Sequence, residues 1–156
     1  MTGKVIVNIC ATHKNDSESQ ILKYTYDGLC RKTENATIIM YDSDSEDKQV
    51  VSKEKNIINI KEDSIEYTRR GDATVRFVFK ENKRTKVSYV TVYGGYNMDI
   101  FTKSVLLKKE GACIALDINY DLLDSKGDIS DETYKLDEII SSVMMNIEIK
   151  KDGTAY

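Results

Sequence analysis

The chain of 156 residues contains no proline. Proline usually punctuates linkers and loops, and neither a Gly/Ser-rich stretch nor an internal repeat takes its place. Residues 1–156 therefore read as one domain. There is also no run of about 18 apolar residues. The opening Met1-Thr2-Gly3-Lys4-Val5-Ile6-Val7-Asn8 lacks a basic start followed by a long apolar stretch. These absences predict a cytoplasmic protein that makes no use of a membrane. Cysteine is scarce: Cys10, Cys30 and Cys113 form an odd count with no C-x-x-C spacing, which excludes a disulfide framework and a zinc finger. The only histidine, His13, sits in the polar run His13-Lys14-Asn15-Asp16-Ser17-Glu18-Ser19, a poor setting for the base of a nucleophilic thiol. The cysteines read as small apolar fillers.

Catalytic and metal motifs are equally absent. No G-x-S-x-G or phosphate loop occurs, and the carboxylates form no recognisable pair. Gly94-Gly95 is a lone diglycine, read as a strand turn or bulge. The acidic stretch 121–132 fails as an EF-hand, because counting from Asp124 puts Lys126 at position 3, Ile129 at 6 and Lys135 at 12. No catalytic residue, metal or cofactor is expected, although an enzyme is not excluded by composition.

What the chain does contain is alternation. Val5, Val7, Ile9 and Ala11 set the pattern, followed by Leu22, Tyr24 and Tyr26. Eight further segments follow: 37–41, 56–61, 64–69, 74–80, 85–93, 98–107, 112–122 and 143–150. About ten short strands joined by compact polar turns predict an all-β, up-and-down antiparallel barrel of roughly eight to ten strands. Closure removes the exposed edges that an open sheet would leave. One segment dissents. Leu136, Ile139, Ile140 and Val143 fall at i, i+3, i+4 and i+7, so a short helix or insertion is expected near 129–141, capped by Asp128 or Ser130.

Charge is distributed unevenly. The net charge is −3, yet residues 69–109 hold ten Lys or Arg against three Asp or Glu. In 74–80 and 85–93 the odd positions carry Val75, Phe77, Phe79, Val87, Tyr89 and Tyr93. These share a face only if the hairpin loop has an odd length, such as Glu81-Asn82-Lys83 with Asn in the left-handed region. The odd set then points inward. Arg70, Arg76, Lys80, Arg84 and Lys86, all even, lie outside or in turns. The next strand should turn Met98, Ile100, Thr102 and Leu106 inward and Asp99, Phe101, Lys103, Val105 and Leu107 outward. Phe101, Val105 and Leu107 make that outer face apolar, so it is either covered core or a homodimer surface.

Arg70-Gly71, Phe77 to Phe79, Tyr89-x-Thr91-x-Tyr93-Gly94, Met98-x-Ile100-x-Thr102 and Gly111-x-x-x-x-Leu116 with Tyr120 resemble the YwiB-like family of small bacterial proteins, a domain of unknown function. Gly28 and the Tyr41-Asp42 pair resemble its first half more faintly, and the segment from Ser125 to about Ile139 is longer than the family pattern. The resemblance implies a calycin-type, lipocalin-like barrel in a bacterial cytoplasm and assigns no reaction.

Two binding modes follow from the two faces. In the first, the barrel interior or mouth holds a small apolar molecule among Tyr24, Tyr26, Tyr89, Thr91, Tyr93, Tyr96, Thr102 and Tyr120. The alternative is that these side chains fill a sealed core, although a buried phenol needs a partner. In the second, Arg70, Arg76, Lys80, Arg84 and Lys86 present an outer site for a phosphorylated metabolite, RNA or an acidic protein. A sequence pI near 5.3 argues against a nucleic-acid partner.

Overall fold

The structure is a computed structural model that describes residues 2–44, 53–124 and 138–153, and of residues 96 and 97 the backbone alone. Its strands are β1 (Gly3–Lys14), β2 (Ser19–Lys32), β3 (Ala36–Asp44), β4 (Lys53–Lys61) and β5 (Ile65–Arg70), then β6 (Thr74–Phe79), β7 (Lys83–Thr91), β8 (Gly94–Glu110), β9 (Cys113–Asp124) and β10 (Ile139–Lys151). Each pairs antiparallel with its chain neighbours, and β10 returns to β1 to close the barrel. All ten segments identified by alternation are strands. No helix among the described residues is long and apolar enough to cross a membrane.

The parity rule holds through the β6–β7 hairpin. Val75 pairs with Tyr89 and Thr74 with Val90, so odd residues face odd residues. The turn amide of Lys83 donates to the Lys80 carbonyl at 3.0 Å, and Asn82 takes φ 61°. An asparagine accepts that left-handed backbone at lower cost than most residues. Phe79 is buried and Phe77 half-buried against it, with the rings 5.8 Å apart and nearly parallel, while Arg76 stands half in solvent beside Glu66. Burying such an aromatic contributes about 1.5–3 kcal/mol.

Three sequence expectations are corrected. Tyr93 does not point inward: β7 stops at Thr91, a two-residue turn follows, and Tyr93 is 95% exposed at its tip. The inward set of β8 also changes halfway along. Lys103 is an extra residue between Thr102↔Tyr120 and Ser104↔Asn119, a bulge that reverses parity for the rest of the strand. Val105 consequently pairs with Ile118 and packs on the core, whereas Leu106 pairs with Asp117 and is 50% exposed. The β6–β7 turn docks at this point: the Asn82 amide donates to the Thr102 carbonyl at 2.7 Å, and the Val105 amide donates to Glu81 Oε1 at 3.2 Å. Phe101, Val105 and Leu107 thus do not form one outer face. Finally, Ile139, Ile140 and Val143 belong to β10, where Val143 pairs with Tyr120; the rest of the expected helix or insertion lies outside the described residues.

Candidate functional site

The barrel interior differs between its two ends. Toward the end holding the β2–β3, β4–β5 and β8–β9 turns, inward side chains are sealed: Ile39, Phe79, Leu116 and Ile149 are each no more than 2% exposed. Toward the other end, which holds the β1–β2, β5–β6 and β7–β8 turns, Ala11, Val75 and Val143 are buried but several inward side chains remain half-buried. Ile9, Tyr26, Tyr67, Phe77, Tyr89, Met98, Leu122 and Met145 pack on the core without leaving solvent. Val105, at the opposite rim, is the exception. An inward residue that keeps solvent contact lines a mouth.

This mouth is aromatic and hydrogen-bonded. Tyr26 on β2 stacks on Tyr41 of β3 with ring centroids 4.7 Å apart, and Tyr24 continues the row at 6.0 Å. Tyr67 meets the edge of Phe77 at 6.2 Å, and Phe77 and Phe79 reach Tyr120 on β9. Such offset and tilted ring pairs are the favoured geometries. Beneath them Tyr41 hydrogen-bonds Tyr67, the Tyr67 hydroxyl donates to Asn56 Oδ1, and the Asn56 amide donates to Ser43 Oγ at 2.8 Å. Burial, reinforced by Tyr67, pushes the Tyr41 phenol well above its ordinary range, and burial does the same to Tyr120. Both stay neutral. Above the chain, Arg69 Nε lies 3.0 Å from Glu54 Oε2, an ion pair on inward positions of β5 and β4.

The tyrosine set expected from sequence is only partly brought together. Tyr26, Tyr89 and Tyr120 line the mouth, and Tyr24 flanks it at 38% exposure. Thr102 is fully buried, and its hydroxyl has no partner among the described residues. Thr91 is engaged in its own turn, donating to the Gly94 carbonyl at 3.0 Å and accepting from the Tyr93 amide at 3.1 Å. Tyr93 lies outside the site, and the Tyr96 side chain lies outside the described residues. Tyr41, Tyr67, Asn56, Glu54 and Arg69 were missed. Alternation does place Tyr41 and Tyr67 inward, but polar residues at inward positions carry no sequence signal of their own.

The outer basic set is also reduced. Arg70, Lys80 and Lys86 are exposed, and Arg76 pairs with Glu66 at 3.2 Å. Arg84 is corrected: its side chain is 7% exposed and lies 2.8 Å from Asp99 Oδ2 and 3.4 Å from Glu138 Oε2. On the same outer row Asp121 accepts from Ser142 at 2.7 Å and meets Lys103 at 3.2 Å. A buried guanidinium already held by carboxylates does not serve an outside anion. Among the described residues no cluster of His, Cys, Asp or Glu is arranged to hold a metal.

A closed ten-stranded antiparallel barrel with one aromatic, half-open end is the class that this geometry defines. The chain belongs to the family described as a domain of unknown function, DUF1934, whose profile matches residues 7–136. It is similar to the crystal structure of the YwiB protein from Bacillus subtilis, with a TM-score of 0.78 and 14% identity over 97% of this chain and 93% of that one. At that identity the likeness is one of fold. No curated protein sequence matches.

Proposed function

We propose that the protein is a non-enzymatic, cytoplasmic binding module that holds a small, mostly apolar molecule at the aromatic end of its barrel. The single observation that supports this reading is the half-burial of Tyr26, Tyr67, Phe77 and Tyr89, all turned inward and packed on the core. Because Tyr67 spends its proton on Asn56 and Tyr41 bonds Tyr67, these two phenols offer an occupant ring faces and edges. Planar or hydrocarbon surface suits such walls. Lipocalin-type barrels offer an analogy of architecture only.

The reading is tested with N-phenyl-1-naphthylamine, a neutral apolar fluorophore that brightens out of water. Titration is expected to give saturable brightening, with affinity about tenfold weaker for Phe77→Ala, a loss near 1.4 kcal/mol. Val90→Ala, a change at an exposed position, serves as the control. Absence of brightening, or equal affinity for the parent and Phe77→Ala, ends the proposal.

A further inference from the structure

We infer that molecules reach this site sideways, through a fork between β2 and β3; the inference rests on the binding function proposed above. Among the described residues the two strands ladder only from Lys32↔Thr37 to Gly28↔Tyr41. Beyond that point β2 follows β1 in unbroken register to Lys14↔Ser19, and β3 follows β4 to Asp44↔Lys53. Each lip is thus backed by a full ladder, while between residues 25–27 and 42–44 the seam carries no ladder. The other strand pairs run their ladders on toward the turns of this end, from Thr74↔Val90 and Thr91↔Gly94 to Lys14↔Ser142.

The sequence explains why the seam parts where it does. Continuing the register would set Asp27 directly against Asp42, both on the outer face, and like charges directly opposed destabilise a ladder. Just below, Gly28 allows the closest approach: a Cβ there would lie 2.8 Å from the Met40 carbonyl oxygen. The strands are pinched at Gly28 and parted at Asp27, within one residue.

A groove of about 600 Å³ runs along the outer wall at the fork, lined by Asp27, Met40, Asp42 and Lys55 and reaching Tyr41 and Asn56. Those last two residues belong to the hydrogen-bonded chain within the barrel. Directly behind the fork, the Tyr26 ring stacks on Tyr41 across the unladdered seam. Tyr26 is half-buried, so a swing of one side chain, with no loss of backbone pairing, joins the groove to the mouth.

The test staples the fork. Asp27→Cys with Asp42→Cys, in a Cys10→Ser/Cys113→Ser background that keeps the buried Cys30, closes under oxidant and reopens with dithiothreitol. Stopped-flow mixing with N-phenyl-1-naphthylamine is expected to show association and dissociation both slowed about tenfold in the stapled form, at nearly unchanged equilibrium affinity, as gating requires. Reduction restores both rates. A second variant, Asp27→Lys, sets opposite charges across the fork; hydrogen exchange over 25–27 should slow, and dye uptake with it. Equal dye kinetics in the stapled and reduced forms, or unchanged uptake in an Asp27→Lys protein with newly protected amides, overturns the side entrance alone. A parent protein that fails to bind the dye removes the binding function and the entrance together.

Discussion

Tyr67 on β5 donates its hydroxyl proton to Asn56 Oδ1 on β4, and Asn56, only 2% exposed, passes the interaction on to Ser43. A buried amide is tolerable here because its donors and acceptor are used. It fixes two aromatic positions at the same time, since Tyr41 is bonded to Tyr67.

Asn56→Ala removes the acceptor of the half-buried Tyr67 hydroxyl and the donor to Ser43, at a cost of about 0.5–1.5 kcal/mol for each hydrogen bond. Urea unfolding is expected to show the loss as a lower midpoint. In the same variant dye affinity should fall, because Tyr67 is released. A midpoint equal to that of the parent would show that the chain does not hold the mouth.

The Arg84–Asp99 pair sits on outward positions yet is sheltered, with side-chain exposures of 7% and 1%. Asp99 Oδ1 has no hydrogen-bond partner among the described residues, so the carboxylate depends on this one cation and its contact at Oδ2. Arg84→Met strands a buried charge and is expected to cost about 3–5 kcal/mol. Adding Asp99→Leu should restore most of that stability. A double variant no more stable than Arg84→Met would assign the loss to packing instead.

The bulge at Lys103 is tested by a parity exchange. Val105→Lys replaces a half-buried inward side chain next to Ile118 and should lower stability by about 1–2 kcal/mol, whereas Leu106→Lys on the solvent side should stay within about 0.5 kcal/mol of the parent. Equal effects would mean that the register does not shift.

Tyr41 and Tyr120 have phenol pKa values raised by burial. In the folded state both retain protons that the unfolded chain releases above pH about 10. Stability is therefore unaffected by these groups below that pH and falls as the pH rises beyond it. Urea midpoints measured from pH 8 to 11 should show this decline, with a shallower slope in Tyr41→Phe.

Glu66 runs the opposite way. A hydrogen bond from Lys61, at 3.0 Å, and the nearby Arg76 hold its carboxyl below the usual range. Its contribution is present at neutral pH and is lost as acid protonates it. Glu66→Gln should flatten the acid limb of the stability profile below pH about 4.5 and leave the alkaline limb unchanged.

Much of the wall was legible from one rule applied locally. Side chains alternate across a strand, so Phe77, Phe79 and Val87 were placed together, and the odd-length loop around Asn82 followed from that agreement. Tyr93 was misplaced because the same alternation runs on past Thr91, and nothing in the pattern marks the end of a ladder. Parity puts Arg84 on the outer face but does not say what lies over that face, and its side chain is only 7% exposed.

Ten alternating segments, mostly compact polar turns and no proline to interrupt them were enough to indicate the barrel. Only the tertiary structure decided where the wall parts, where its parity reverses and which tyrosines meet. The physical reason is range. Alternation and turn chemistry act between neighbours along one chain, whereas the Lys103 bulge, the Asp27 and Asp42 fork and the Tyr41–Tyr67–Asn56 chain arise where strands remote in sequence are brought side by side, and a one-residue shift there changes every contact beyond it.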